Sequence, residues 1–348
     1  MNVRLKKLED QVMVITGASS GIGLVTARMA AKRGARVVLN ARNEEALRQI
    51  AYEINASGGK ASYVAGDVGK LDDVRHIAHE ALHAFGGFDT WVNNAGVSIY
   101  GPVLDQSLED QRRVFETNYW GVVHGSMVAC ERLRQHGGAL INVGSALSDR
   151  AIPLQGSYCA TKHAVKGYTD ALRMELEEEG APISVTLIKP SAIDTPYIQH
   201  AKNLLPVQPL NPPPVYAPET VAEAILHCAE HPERDVYVGA GGKLLSESGH
   251  HAPRLTDKLM EATMFESQKS DRPASPDRRD NLHAPSVDGK ERYGYPGHVA
   301  ESSMFTKASL HPLLTSTLFL GAGVALAAWW RRDSKSNVSH KGVQYGHG

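Results

Sequence analysis

Val12-Met13-Val14-Ile15-Thr16-Gly17-Ala18-Ser19-Ser20-Gly21-Ile22-Gly23 is the stretch that decides the architecture. A short apolar run enters a glycine-rich turn, and beyond Gly23 the residues Val25, Met29 and Ala30 recur at helical spacing. A strand that passes through glycines into a helix leaves N–H groups of the helix N-terminus open. With no side chain at the glycines, backbone can approach a pyrophosphate closely there. Gly17, Ser19, Ser20, Gly21, Ile22 and Gly23 are therefore read as a phosphate cradle. The spacing TGxxxGxG differs from the common dinucleotide fingerprint, and glycine turns of this kind also arise from chain geometry alone.

Outward from that turn, the chain from Gln11 to about Ala240 alternates β-rich runs with longer helical stretches. The strand candidates are VMVITG, ARVVLNA, ASYVAGD, FDTWVNNAG, GALINVGS, ISVTLIKP and DVYVGA. Nearly continuous apolar runs suit strands buried on both faces, so the pattern predicts an α/β fold: a Rossmann-like, doubly wound parallel sheet of about seven strands. A hydrophobic fraction of 42% and a charged fraction of 22% supply a sizeable core and exclude a disordered, collagen-like or polytopic membrane chain. Lysine plus arginine (37) nearly cancels aspartate plus glutamate (38), so no overall field draws nucleic acid. Cys130, Cys159 and Cys228 are too widely spaced for a disulfide framework or a zinc site and suit a reducing cytosol. The amino-terminal segment, with Glu9 and Asp10 ahead of a strand-length apolar run, does not read as a secretory signal. His250-His251 reads as an exposed loop, and no metal site is expected.

After Gly242 the composition changes. Between Glu266 and Ala300 only eight of 35 residues are hydrophobic, and four prolines interrupt any helix, so 243–312 reads as a polar, partly disordered linker. The run 313–330 carries no charge over 18 residues, about 27 Å as a helix against a hydrocarbon core of about 30 Å. Trp329, Trp330, Arg331 and Arg332 would form an interfacial anchor, with 331–348 as a polar tail. The expectation is a transmembrane or membrane-anchoring helix that holds a cytoplasmic catalytic domain. A tail lying in the interface, a docked core helix, or a soluble cytoplasmic protein with an interaction helix are the alternatives.

The candidate chemistry lies at strand ends. The second strand ends in Asn40-Ala41-Arg42, where NAD-preferring dinucleotide folds place a carboxylate; an arginine fork there favours the 2′-phosphate of NADP(H). Arg42 could equally begin a solvated helix face. Asp67 could accept from an adenine amino group or serve as an ordinary cap. Tyr158 and Lys162 stand one turn apart on a helix that follows a strand ending at Ser145. An ammonium beside a phenol stabilises the phenolate, which brings a group of ordinary pKa near 10 toward useful proton transfer. Ser145 is placed to donate to a substrate carbonyl oxygen as it becomes an alkoxide.

With these motifs in order, and with Asp67-Val68, Asn93-Asn94-Ala95-Gly96 and Asn118 between them, the chain resembles the short-chain dehydrogenase/reductase family over Leu8 to Gly242. The resemblance implies an NADP(H)-binding domain over 1–242 and a catalytic tetrad of Asn118, Ser145, Tyr158 and Lys162. Tyr158 would be the acid/base, Lys162 would also bind the nicotinamide ribose, and Asn118 would hold a water in a proton relay. It further implies cofactor contacts from Val68, Asn94, Ala95, Gly96, Pro190, Ile193 and Thr195, with Ser191 standing where the family usually has glycine, and a homo-oligomer built on the helices around Asn118 and Tyr158. The proline-rich stretch Tyr197 to Tyr216 sits where the family's substrate loop lies. Leu147, Ile152, Leu154 and Tyr197 are the expected substrate neighbours, of an apolar carbonyl or alcohol. Cys159 reads as a small packing residue. The competing function is a membrane-tethered NADP(H)-binding scaffold in which the tetrad is vestigial.

Overall fold

The computed structural model describes residues 3–275, 278–286, 288–311 and 315. The chain divides into two units between Thr306 and Lys307, and all that follows concerns the first. The seven predicted strands are present: β1 (Val12–Thr16), β2 (Arg36–Ala41), β3 (Lys60–Ala65), β4 (Thr90–Asn93), β5 (Gly138–Val143), β6 (Ile183–Pro190) and β7 (Asp235–Val238). They form one sheet in the order β7-β6-β5-β4-β1-β2-β3, and every pairing is parallel. The helices are α1 (Gly21–Lys32), α2 (Glu44–Ala56), α3 (Leu71–Phe85), α4 (Leu108–Phe115), α5 (Gly121–His136), α6 (Gly156–Glu178), α7 (Pro218–Glu230), α8 (Ala240–His251) and α9 (Pro253–Ser267).

Strand β1 is buried along its whole length because helices cover both faces of the sheet. Its alternate residues Val12 and Val14 join Val38, Trp91 and Leu140 against Val74 and Ile77 of α3 and Val128, Ala129 and Leu133 of α5. On the other side α1 packs against α7. Each fully buried aliphatic or aromatic side chain contributes about 1.5–3 kcal/mol, so this layer supplies most of the stability. The strand order reverses between β1 and its two neighbours, β2 and β4, which opens a crevice at their carboxyl ends.

A buried polar chain runs toward that crevice. Trp91 Nε1 donates to Asn93 Oδ1 at 2.8 Å, Asn93 Nδ2 donates to Asn142 Oδ1 at 2.9 Å, and Asn142 Nδ2 donates to Thr169 Oγ1 at 3.0 Å. These satisfied bonds fix β4, β5 and α6 in one register.

The stretch 243–306 departs from the linker expectation. Pro253 occupies the first turn of α9, where its missing N–H costs nothing, and so starts a helix instead of breaking one. Strand Lys269–Pro273 pairs antiparallel with Val207–Pro209, and Val299–Ala300 pairs with Val215–Tyr216. Gln268, fully buried, donates to the Pro153 and Met264 carbonyls and accepts from Gln155. Asp194 receives the backbone N–H groups of Gly294 and Tyr295 at 3.1 and 3.0 Å. Polar hydrogen bonding to the loops after β5 and β6 does here what apolar burial does elsewhere, which is why a low hydrophobic count misreads the segment. The first unit accordingly extends from the described amino terminus to Thr306 and not to residue 242.

The apolar run 313–330 lies outside the described residues except for Thr315. Among the described residues no helix is long and apolar enough to cross a membrane.

A Cβ on Gly23 would lie 2.2 Å from the Gly17 carbonyl oxygen and 2.7 Å from Asn94 Nδ2, so α1 can leave β1 at this angle only with glycine there. Gly167, in α6, has nothing within 4 Å of its would-be Cβ. Urea unfolding should therefore show opposite signs: Gly23→Ala destabilises by about 1–3 kcal/mol through overpacking, whereas Gly167→Ala stabilises by about 0.5–1 kcal/mol through reduced chain entropy. Equal effects at the two positions would contradict the close strand-to-helix contact.

Candidate active site

The crevice is a cavity of about 680 Å³ that runs from the glycine turn, past the ends of β2 and β4, to Tyr158. Thr16, the last residue of β1, organises its floor. Its Oγ1 accepts from the backbone N–H of Asn94 (3.0 Å) and Ala95 (3.1 Å), while Asn94 Nδ2 donates to the carbonyls of Thr16 (2.9 Å) and Gly17 (3.3 Å). A Cβ on Gly17, whose φ is 65°, would meet Ala95 Cα at 2.8 Å. The glycine turn and the loop after β4 therefore interlock, and glycine is required both for the left-handed backbone and for the approach.

At the end of β2, Asn40 is buried and donates to the carbonyls of Val64 and Gly66 at 3.1 and 3.2 Å. Arg42 reaches the cavity wall, where its guanidinium donates to the carbonyls of Asn281 and Leu282. Burial pulls its pKa below the ordinary arginine value. Asp67 accepts from the Gly69 N–H at 3.0 Å and pairs with Arg113 at 2.6 Å. Burial disfavours its ionised form, but those bonds outweigh it and hold the pKa below the usual carboxylate value.

The far end of the cavity carries the reacting groups. Ser145, just past β5, caps a short 3₁₀ turn (Ala146–Ser148), its Oγ accepting from the Leu147 N–H at 3.0 Å. Helix α6 presents Tyr158 and Lys162 on one face toward it. Tyr158 shares the cavity wall with Ser145, and its ring meets that of Tyr197 edge-on with the centroids 5.5 Å apart. Lys162, 4% exposed, donates from Nζ to the Val143 carbonyl at 2.8 Å and stands 5.6 Å from the centre of the Tyr158 ring. Burial pushes Tyr158 up to about 12, against the lowering effect of Ser145, and pulls Lys162 down to about 8. Burial thus opposes the lowering expected of a neighbouring ammonium and favours the protonated phenol.

Three expected site residues do not line the cavity: Gly23, Asn118 and Leu154. Gly23 supports the turn from behind, as its contacts show. Asn118 is fully buried in a π-helical turn (Glu116–Trp120) between α4 and α5; its Nδ2 donates to Val97 O and Thr161 Oγ1, and its Oδ1 accepts from Val97 N–H. Both amide hydrogens are committed to tying the loop after β4 to α6, which leaves this side chain no donor for a relay water. Leu154 has φ 68°, and its side chain packs with Tyr100, Ala201 and Leu205. Its carbonyl accepts from Gly101 N–H at 2.9 Å.

The other expected residues are brought together. Gly17, Ser19, Ser20, Gly21 and Ile22 meet Arg42, Asp67, Val68, Asn94, Ala95 and Gly96 around one end, and Pro190, Ile193 and Thr195 approach from β6. Ser145, Leu147, Ile152 and Tyr197 stand with Tyr158 and Lys162 at the other. Ser191 is accommodated where glycine is usual: its Oγ donates to Gly239 O at 3.2 Å and accepts from Gly242 N–H at 3.0 Å, joining the end of β6 to α8. The cavity also gathers Leu245, Leu259, Met260 and Met264 from α8 and α9 and Asn281, Pro285 and Asp288 beyond them. The spacing of Met260 and Met264 behind Pro253 was the available sign of the first group; the second carries none.

The model of the family described as short chain dehydrogenase matches residues 11–204. The chain is 48% identical over 330 residues to an uncharacterized oxidoreductase, YxnA, of Bacillus subtilis (strain 168), covering 94% of this chain and 92% of that one. It is 35% identical over 192 residues to 3beta-hydroxysteroid dehydrogenase 1 of Eggerthella lenta, covering 54% of this chain and 73% of that protein. Among solved structures it resembles an alcohol dehydrogenase of the archaeon Thermococcus sibiricus complexed with 5-hydroxy-NADP, at a TM-score of 0.58 and 27% identity, covering 65% of this chain and 95% of that one.

Lys162 yields a stability prediction. Its folded-state pKa lies below the ordinary lysine value, so between about 8 and that value the unfolded chain holds a proton that the folded chain has released, and stability rises with pH across the window. Lys162→Met should therefore raise the melting temperature at pH 7 and lessen that rise. A variant that melts lower at pH 7 and keeps the wild-type pH slope would contradict a buried, costly ammonium.

Proposed function

The chain belongs to the short-chain dehydrogenase family and is an oxidoreductase, and from that premise we propose that it interconverts a carbonyl and an alcohol with NADP(H), Tyr158 moving the proton. The observation that carries this reading is the single cavity that gathers Ser145, Tyr158 and, one helical turn along, buried Lys162 with the glycine cradle. The residues fit a dinucleotide. Gly17, Ser19, Ser20, Gly21 and Ile22 line the cavity at the amino terminus of α1, where a pyrophosphate is favoured. Arg42 without a carboxylate at the end of β2 supports a 2′-phosphate.

The bound nicotinamide would supply the hydride. The chain's own residues do the rest. Ser145 donates to the substrate oxygen, which stabilises negative charge as it develops. Tyr158, protonated at neutral pH, gives its proton to that oxygen in the reducing direction. Lys162 places positive charge beside the phenol and, as the family implies, binds the nicotinamide ribose. Asn118 holds the loop after β4 against α6, so its part is to position the floor of the cleft.

Leu147, Ile152, Tyr197, Leu245, Met260 and Met264 support an apolar substrate. A steroid or lipid carbonyl is consistent with the name of the Eggerthella relative. Exposed Trp120, Met127 and Met174 on the helices around Asn118 and Tyr158 support a homo-oligomer. The uncharged run 313–330, ending in a Trp-Trp-Arg-Arg interfacial anchor, supports attachment of the catalytic unit to a membrane.

The test uses the full chain with NADPH or NADH and a panel of apolar and polar ketones and aldehydes. Reduction of an apolar carbonyl with NADPH is expected, and Tyr158→Phe should lower kcat by about 10²–10⁴-fold while NADPH binding is retained. Undiminished turnover in the variant would sink the tyrosine's role. NADPH binding by both proteins with no turnover of any carbonyl would favour the scaffold alternative.

A further inference from the structure

Beyond α9 the chain returns across the dinucleotide end of the cleft and takes up the groups that would hold a cofactor phosphate. Gly289 N–H donates to Ser19 O at 2.9 Å and Gly21 N–H donates to Lys290 O at 2.9 Å, so two residues bond to the backbone of the glycine turn. The Asn281 and Leu282 carbonyls occupy the Arg42 guanidinium, Arg113 Nε also donates to Leu282 O at 3.0 Å, and Asn43 Nδ2 donates to Ser286 O at 3.1 Å. Leu282, fully buried with Val97, Ile99 and Val114, pins one end of the segment; the Arg28–Glu291 ion pair at 2.6 Å ties the other.

Between these pins the Asp288 carboxylate is 4% exposed, with His200 Nε2 at 3.9 Å, and lines the same cavity as Ser19, Arg42 and Asn43. An anion that shares a cavity wall with a serine hydroxyl, an asparagine amide and a guanidinium at the end of β2 has the surroundings of a ribose 2′-phosphate. We infer that the described residues of 281–291 form an autoinhibitory strap, in which Asp288 stands in for the 2′-phosphate and which NADP(H) must displace to bind. The inference rests on the cofactor reading above.

Competition follows from donor counting. Gly21 has one N–H, and it is used; the Arg42 fork is turned to two carbonyls. A phosphate placed beside Asp288 would bring like charges together where water is largely excluded, which is strongly unfavourable. Cofactor affinity is then the intrinsic affinity scaled by the fraction of chains with the strap lifted, so loosening the strap tightens binding without adding a contact.

The test titrates NADPH and NADH into the full-length protein and into Asp288→Ala and Glu291→Gln, and follows backbone hydrogen exchange across the strap in the wild type. Glu291→Gln, outside the cleft, should tighten both cofactors by a similar factor of about 2–5, and Asp288→Ala should tighten NADPH by about tenfold and NADH by less. NADPH should accelerate exchange at Gly289. Slower exchange there on NADPH addition, or weaker NADPH binding by Asp288→Ala, would show a clamp that closes over the cofactor and would overturn the proposal. The exchange experiment needs no variant, so misfolding of Asp288→Ala does not decide it. A wild type that binds NADH more tightly than NADPH would overturn the cofactor assignment instead, and the strap is then judged by exchange on NADH addition.

Discussion

The interlock of Thr16 with Asn94 is the constraint on which the site depends. One hydroxyl and one amide side chain join the ends of two neighbouring parallel strands through four hydrogen bonds, all between 2.9 and 3.3 Å. Glycine at positions 17 and 23 is a consequence, since a Cβ at either would strike the partner loop or the turn itself. With the strand ends locked, the amino terminus of α1 faces the crevice, and the buried Asn93–Asn142–Thr169 chain carries the same registration to α6 and its tyrosine. The cradle and the reacting groups are thus held in one frame by polar bonds inside an apolar sheet. Such bonds are costly if broken and specific when complete.

Within that frame burial sets the protonation states. At the Tyr158 end of the cavity the phenol is driven toward its neutral form and the ammonium is disfavoured, both by desolvation. A protonated tyrosine beside a serine hydroxyl suits delivery of a proton to an oxygen acquiring charge. The apolar wall from α8 and α9 lines the same cavity and comes from chain beyond the matched family region.

How much of this was legible depended on which force held each element. The seven strands were readable because strands buried on both faces must be apolar throughout, and VMVIT and GALINV could hardly be anything else. Tyr158 and Lys162 followed from helical spacing, whereas Asn118 was visible only through the family, because a π-helical turn leaves no sequence period. Leu154 has a left-handed backbone that its sequence does not signal, and it packs with Tyr100, Ala201 and Leu205 behind the cavity wall. The stretch 243–306 was misread because it is held by backbone carbonyls and buried polar side chains such as Gln268 and Asp194, which composition counts as loop.

Transfer of the reduced nicotinamide's hydride to a carbonyl carbon is the central claim, and isotopic labelling tests it most directly. The full chain is given NADPH carrying deuterium at both C4 positions and an apolar ketone, and the alcohol is examined by mass spectrometry. One deuterium on the carbinol carbon, with none in product formed from unlabelled cofactor in deuterated water after exchange of the hydroxyl, is the predicted result. Product alcohol without the label would contradict the account.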